Sequence, residues 1–189
     1  MDRGTELFLA AVDDLDDDAW EAPSPLPGWR PRELVAHVHL NAEALGNLVT
    51  WATTGVKTPM YASAEQRDAD IERTAELPPG DLRGLVHGSA RELARKLDAM
   101  SDEAFGRQVV TALGRTVPAG EILWMRTREV AVHAIDLGTG ASFEDLPDDL
   151  VAALVDDVVG LRLRRGEGPT LAAWLTGRGR AGHDLGPWI

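Results

Sequence analysis

Apolar residues recur along the chain at the three-to-four-residue spacing of helices in several long segments. Alternation at period two is confined to a short stretch near Arg107–Thr111, so the pattern predicts a mostly α protein. A first helix is expected from about Gly4 to Leu15, with Leu7, Ala11 and Leu15 on one face. The aspartates at 13, 14 and 16–18 oppose the helix dipole and mark a solvated exit. Ala22–Gly28 is a proline-rich loop. The second helix, Pro31–Thr54, has the clearest signals: Pro31 suits the first turn, Leu34, Val38, Asn41, Leu45 and Leu48 share a face, and Gly55 offers a left-handed stop.

A loop over Val56–Ser63 leads to a short charged helix, Ala64–Glu76, closed by Pro78-Pro79-Gly80. Leu82, Leu85, Ala90, Leu93 and Leu97 define a third long helix, and a fourth runs from about Pro118 to Leu137 before Gly138. Four long helices joined in this way predict a four-helix bundle. A fifth helix follows at about Asp148–Arg165, then a Gly/Arg-rich tail with one apolar element, Leu171–Leu175. The expected division is a bundle over residues 1–145 and, over 146–189, the fifth helix with a reduced C-terminal segment.

Composition changes the picture at three points. At 189 residues the chain can bury roughly 70% of its unfolded surface, so a metal is not needed to hold a core and any metal site points to function. Zero cysteines exclude disulfides, thiolate metal sites and a cysteine nucleophile. Thirty-one acidic against 19 basic side chains give a net charge of −12, which repels phosphate backbones and argues against nucleic acid as a partner. The N-terminus lacks the layout of a signal peptide and no apolar run approaches the ~20 residues of a membrane span, so the expected location is cytoplasmic, with no membrane partner.

Glu129 and His133 lie four apart, on one face of the fourth helix, where a carboxylate and an imidazole can reach one ion. Leu123, Val130, Ile135 and Leu137 give the pair apolar surroundings, and a carboxylate facing a bundle core needs a partner or a cation. His37, on or beside the apolar face of the second helix, is either a core histidine or a third ligand that completes a His₂Glu set. Such a set suits zinc and also admits nickel, cobalt or iron. His39 is two residues from His37 and points elsewhere, while His87 and His183 have no partner at helical spacing, so all three read as non-ligands. Arg67 is a candidate for binding an acidic substrate, against the plainer reading of a solvated arginine. The tryptophans at 20, 29, 51, 124, 174 and 188 read as core or loop anchors. No nucleophile elbow, phosphate-binding loop, H-E-x-x-H or dinucleotide fingerprint is present.

Several strings together resemble the mycothiol-dependent maleylpyruvate isomerase family, within the DinB-like metal-binding four-helix bundles. They are Pro27-Gly28-Trp29, His37, Asn41-Ala42-Glu43-Ala44-Leu45, Trp51-Ala52-Thr53-Thr54-Gly55, Pro59-Met60-Tyr61, Gln66-Arg67-Asp68 and Ile71-Glu72, followed by Arg128-Glu129-Val130 and His133-Ala134-Ile135-Asp136-Leu137-Gly138. The resemblance spans about Gly4–Arg165. It implies that His37, Glu129 and His133 are the metal triad, with zinc as the metal, that Asn41 contacts the cofactor thiol, and that Arg67 acts in catalysis.

The resemblance further implies that a fourth metal position binds and deprotonates mycothiol, so that a protein without cysteine runs thiolate chemistry. The thiolate adds to the activated double bond of maleylpyruvate, rotation follows, and elimination gives fumarylpyruvate. Related members transfer mycothiol onto other electrophiles. Family isomerases also carry a second α/β domain with a substrate-holding arginine; Leu171–Arg178 resembles the end of that domain, and Arg178 matches the arginine. The expected function is therefore that of a metal-dependent mycothiol isomerase or S-transferase acting on a small electrophilic or acidic molecule, as a monomer or homodimer. The alternatives are a non-catalytic metal-binding or partner-binding bundle, and a hydrolase using metal-bound water.

Overall fold

The computed structural model describes residues 2–178; His183 and Trp188 therefore lie outside the described residues. The bundle is built from α1 (Asp2–Asp13), α2 (Pro31–Thr54), α4 (Pro79–Asp98) and α6 (Glu121–Asp136), with the short α3 (Ala64–Ala75) and α5 (Asp102–Gly106) between them. α2 packs on α4 and α6, and α1 on α6 and α4, which closes a ring of four. Two compact units are present, one ending at Asp145 and one beginning at Leu146.

Local chemistry fixes the helix that carries the first histidine. Pro31 opens α2, where a missing N–H costs nothing, and the Arg30 backbone N–H donates to Glu33 Oε2 at 2.9 Å. At the other end Gly55 takes φ 75°, and its N–H donates to the Trp51 carbonyl at 2.8 Å. These are the residues from which the span was predicted, and the observed helix has the predicted limits.

Two boundaries differ from expectation for reasons visible in the packing, and one short helix, α5, was not expected. α1 ends at Asp13, two residues early, because Arg83 from α4 takes up the carbonyls of Val12, at 3.3 Å, and Leu15 while its guanidinium stacks on the Trp20 ring. α6 begins at Glu121 and not near Pro118. Thr116–Pro118 is a strand, β2, paired antiparallel with β1 (Gln108–Val110), and Val109 and Val117 face each other in the core. The pairing extends outward: Ala119 N–H donates to the Arg107 carbonyl at 2.8 Å and Gly120 N–H to that of Phe105 at 3.0 Å, so amides that a helix would use are engaged elsewhere. α5 follows its Ser101 N-cap, whose Oγ accepts from Ala104 N–H at 3.3 Å.

The bundle core falls into two apolar clusters. One contains Phe8, Val12, Trp20, Leu34, Val38, Leu82, Val86, Val130 and Ala134. The other contains Leu45, Leu48, Leu93, Leu97, Val109, Val117 and Ile122. The buried polar residues Asn41 on α2 and Arg126 on α6 lie between them in sequence, within a turn or two of His37, Glu129 and His133. The bundle therefore carries a polar layer between two apolar halves. The second unit comprises α7 (Asp148–Arg164) and α8 (Gly168–Leu175), packed together around Leu154 and Leu171 and joined by an Arg162–Glu167 ion pair of 2.7 Å.

Candidate metal centre

α2 and α6 face each other, and the register of each puts its polar residues at the same level. The ligand atoms of His37, Glu129 and His133 lie within 4.8 Å of one another. His37 Nε2 is 3.1 Å and His133 Nε2 is 3.3 Å from the same oxygen, Glu129 Oε2. The two imidazoles meet edge to face with centroids 5.2 Å apart, and Trp29 stacks edge-on against His37 at 5.4 Å.

The two histidines are oriented differently. His133 Nδ1 lies 2.8 Å from Asp136 Oδ2, one helical turn on, which orients the ring so that Nε2 faces Glu129. That Nε2 is buried and has no hydrogen-bond partner. His37 is held by packing against Trp29 and His133, and its Nδ1 is buried without a hydrogen bond. Burial pushes both imidazoles toward the neutral form. At His133 the hydrogen bond to Asp136 and the Glu129 carboxylate outweigh burial and hold the pKa up at about 9; at His37 burial prevails and the pKa falls. Burial also pushes the Glu129 carboxyl up, but the His133 and His37 imidazoles beside it more than offset that, so the group stays ionised below the usual carboxylate range. Two imidazole nitrogens and one carboxylate oxygen converging on a buried point, one nitrogen lacking any hydrogen bond, are a donor set that fits a divalent ion.

Of the other predicted residues, Arg67 is at the edge of this cluster. Its guanidinium sits 6.0 Å from the Tyr61 ring centroid, its charge is felt at His37, and Nη1 is 3.6 Å from Asp68. Asn41 is turned to a different partner: its Oδ1 accepts from Arg126 Nη1 at 3.0 Å. Arg178 is exposed in the second unit, where Nη1 donates to the Thr176 carbonyl at 2.8 Å. Leu123, expected beside the pair, is exposed, because six residues from Glu129 it points to another face of α6. His39 is buried on α2 with Nε2 3.8 Å from Glu43, and His87 pairs with Asp13 at 3.0 Å.

Three residues around the site were not assigned roles from sequence. Asp136 was visible as the acid three after His133. Arg126 is wholly buried, bonded to the Val38 carbonyl at 2.8 Å and to Asn41; burial lowers its pKa to about 10, while Glu129 and Tyr61 oppose that fall. Tyr61 comes from a loop with no periodicity to read.

A four-helix bundle with two histidines and a glutamate converging from facing helices is compatible with a divalent metal site of the kind bundles build between helices. Residues 1–138 match the mycothiol maleylpyruvate isomerase N-terminal domain family, and the chain belongs to that family. A crystal structure of the mycothiol-dependent maleylpyruvate isomerase superposes with a TM-score of 0.80 at 42% identity, covering 82% of this chain and 65% of that one. A histidine-to-alanine mutant of that enzyme matches equally, with a TM-score of 0.80, 41% identity and the same coverage. The chain thus spans less than two thirds of the length of these solved enzymes. No curated protein matches it. No helix among the described residues is long and apolar enough to cross a membrane.

Proposed function

We propose that the protein is a metal-dependent enzyme that uses mycothiol as a thiolate against a small electrophilic substrate, in the manner of a maleylpyruvate isomerase or a mycothiol S-transferase, and that it works in the cytoplasm. His37, Glu129 and His133 would hold the ion, with zinc the best match to two imidazoles and one carboxylate. When bound, such an ion with an open fourth position lowers the pKa of a thiol and supplies the nucleophile that a chain without cysteine lacks.

The chain's own residues prepare that position. Asp136 holds the His133 ring so that Nε2 faces Glu129. Trp29 covers His37 and limits its rotation. Arg126 ties α6 to α2 through Val38 and Asn41, which sets the distance between the helices that supply ligands. Asn41, committed to Arg126, acts on the thiol only through that register. Arg67, about one third exposed, is the cation available to an acidic substrate. Arg178 is proposed as a second substrate contact supplied by the segment after residue 145.

The observation that carries this reading is the convergence of three donor atoms with a buried, hydrogen-bond-free Nε2 on His133. Metal content of the purified protein and of His37→Ala and His133→Ala, followed by turnover of maleylpyruvate and model electrophiles with and without mycothiol, tests it. One divalent ion per chain, lost in both variants, with thiol-dependent turnover, is expected. An ion without thiol-dependent turnover would assign the bundle to a binding role, and turnover without thiol to hydrolysis.

A further inference from the structure

The second unit exposes more large apolar side chains than it buries. Among its described residues Leu146, Leu154 and Leu171 are buried, whereas Val155 and Leu163 on α7 and Trp174 and Leu175 on α8 are exposed, Val155 at 53% and Leu163 at 56%. On α7 the two exposed side chains belong to a stripe. Ala152, Val155, Val159 and Leu163 follow one another at steps of three, four and four residues and fall within about a quarter turn of the helix. Leu154 and Arg162, the buried residues of α7, lie to one side of that stripe. α7 therefore meets α8 through one apolar face and carries a second one outward.

The charges beside the stripe change sign along it. Asp148 and Asp149 open α7 and Asp156 flanks Val155, whereas Arg164 follows Leu163. The Arg164 guanidinium lies back over Gly160, with Nη1 3.4 Å from the place a Cβ there would occupy, on the side of the stripe that carries Asp156. Asp156 and Arg164 are eight residues apart, about 12 Å along the helix, a separation that ion pairs within one helix do not bridge. Val155 and Leu163 lie four residues on either side of Val159. Two copies of α7 turned antiparallel about a two-fold axis at Val159 thus place Val155 of each against Leu163 of the other, and Asp156 beside Arg164. We infer that this face of α7 is the interface of a homodimer, in which two copies of the chain pair α7 antiparallel with Val159 on the axis.

A second copy is the occupant that the pattern itself specifies. A helix whose second half complements its first, in apolar positions and in sign of charge, complements a copy of itself. Parallel pairing would set Asp156 against Asp156 and Arg164 against Arg164, whereas the antiparallel one brings unlike charges together and opposes the helix dipoles. Copies of a chain of net charge −12 repel one another, so their contact needs unlike charges at its edge as well as apolar area. No residue of the proposed metal centre takes part, and the dimer stands or falls independently of the proposed function.

Sedimentation equilibrium of the full chain, supplied with zinc, tests the inference. The wild type is expected to move from 20.4 kDa toward twice that mass as its concentration rises through the micromolar range. Val155→Glu and Leu163→Glu alter exposed side chains and are expected to stay monomeric, with helix content and melting temperature of the monomer unchanged. Asp156→Arg is expected to weaken association at least about tenfold, and Asp156→Arg combined with Arg164→Asp to return it to within about threefold of the wild type, because the exchange restores unlike charges across the axis. A wild type that remains monomeric at several hundred micromolar, an assembly larger than a dimer, a dimer that persists in Leu163→Glu, or a double exchange that fails to restore association overturns the inference. A monomeric wild type that Leu163→Glu destabilises would show the stripe to be covered by the chain itself, which overturns it as well.

Discussion

His133 meets Asp136 through Nδ1 at 2.8 Å and turns Nε2 toward Glu129 at 3.3 Å, so one side chain joins an outer carboxylate to the ligand cluster. The arrangement uses two steps along α6, four residues from Glu129 to His133 and three from His133 to Asp136, which keep all three on one face.

Asp136→Asn keeps the shape and removes the charge that fixes the imidazole. Removing an outer partner of a ligating histidine typically costs 10–100-fold in metal affinity, so a drop of about that size is expected. Competition against a fluorescent chelator measures it, and an unchanged affinity would separate Asp136 from the metal centre.

Stripping divalent ions should lower the melting temperature, because an ion that binds only the folded bundle stabilises it by about 2.7 kcal/mol at a hundredfold excess over its dissociation constant. Adding zinc back should restore the wild type and leave His133→Ala at its stripped value. Thermal scans before and after chelation read both effects.

Asn41→Ala removes one of the two acceptors of the buried Arg126 guanidinium. Leaving a buried polar group unsatisfied costs about 1–3 kcal/mol, and urea unfolding should show a loss in that range with little change in the slope. Arg126→Ala vacates the layer and should cost more, roughly 3–5 kcal/mol.

Glu33 gives a pH-dependent prediction. Burial pushes its carboxyl up, but hydrogen bonds from the side chain and backbone of Arg30 prevail and its pKa is lowered. A lowered folded pKa contributes stability that is present above the unfolded value and is lost as pH falls through the folded one. Glu33→Gln should therefore cost about 1 kcal/mol at neutral pH, and the difference from wild type should vanish in acid. Chemical denaturation from pH 7 down to pH 3 follows it.

The helices of the bundle and the spacing of the ligand cluster were legible because both follow from period. The limits of α2 came from Pro31 and Gly55, and the pairing of Glu129 with His133 from four-residue spacing. The start of α6 was not legible, since Thr116–Pro118 reads as a helix entrance until its pairing with Gln108–Val110 is seen. Arg126 was missed because arginine on a helix is ordinarily a surface residue, and only the Val38 carbonyl and Asn41, more than eighty residues earlier, satisfy it in the interior. Tyr61 depends on contacts made by Asn47 and the hairpin, which no local pattern encodes.

The polar layer is electrically insulated above and below by apolar side chains, so a charge placed in it can be answered only by its own members or by whatever docks there. With His37 neutral and His133 protonated, Arg126, Arg67 and His133 carry three positive charges against two negative ones on Glu129 and Asp136. The set is one charge positive before any ion arrives. A divalent ion that displaced the His133 proton would leave it two charges positive, and under the proposed function the incoming thiolate and carboxylate would answer that excess, so loading the centre would create the demand for its own reactants.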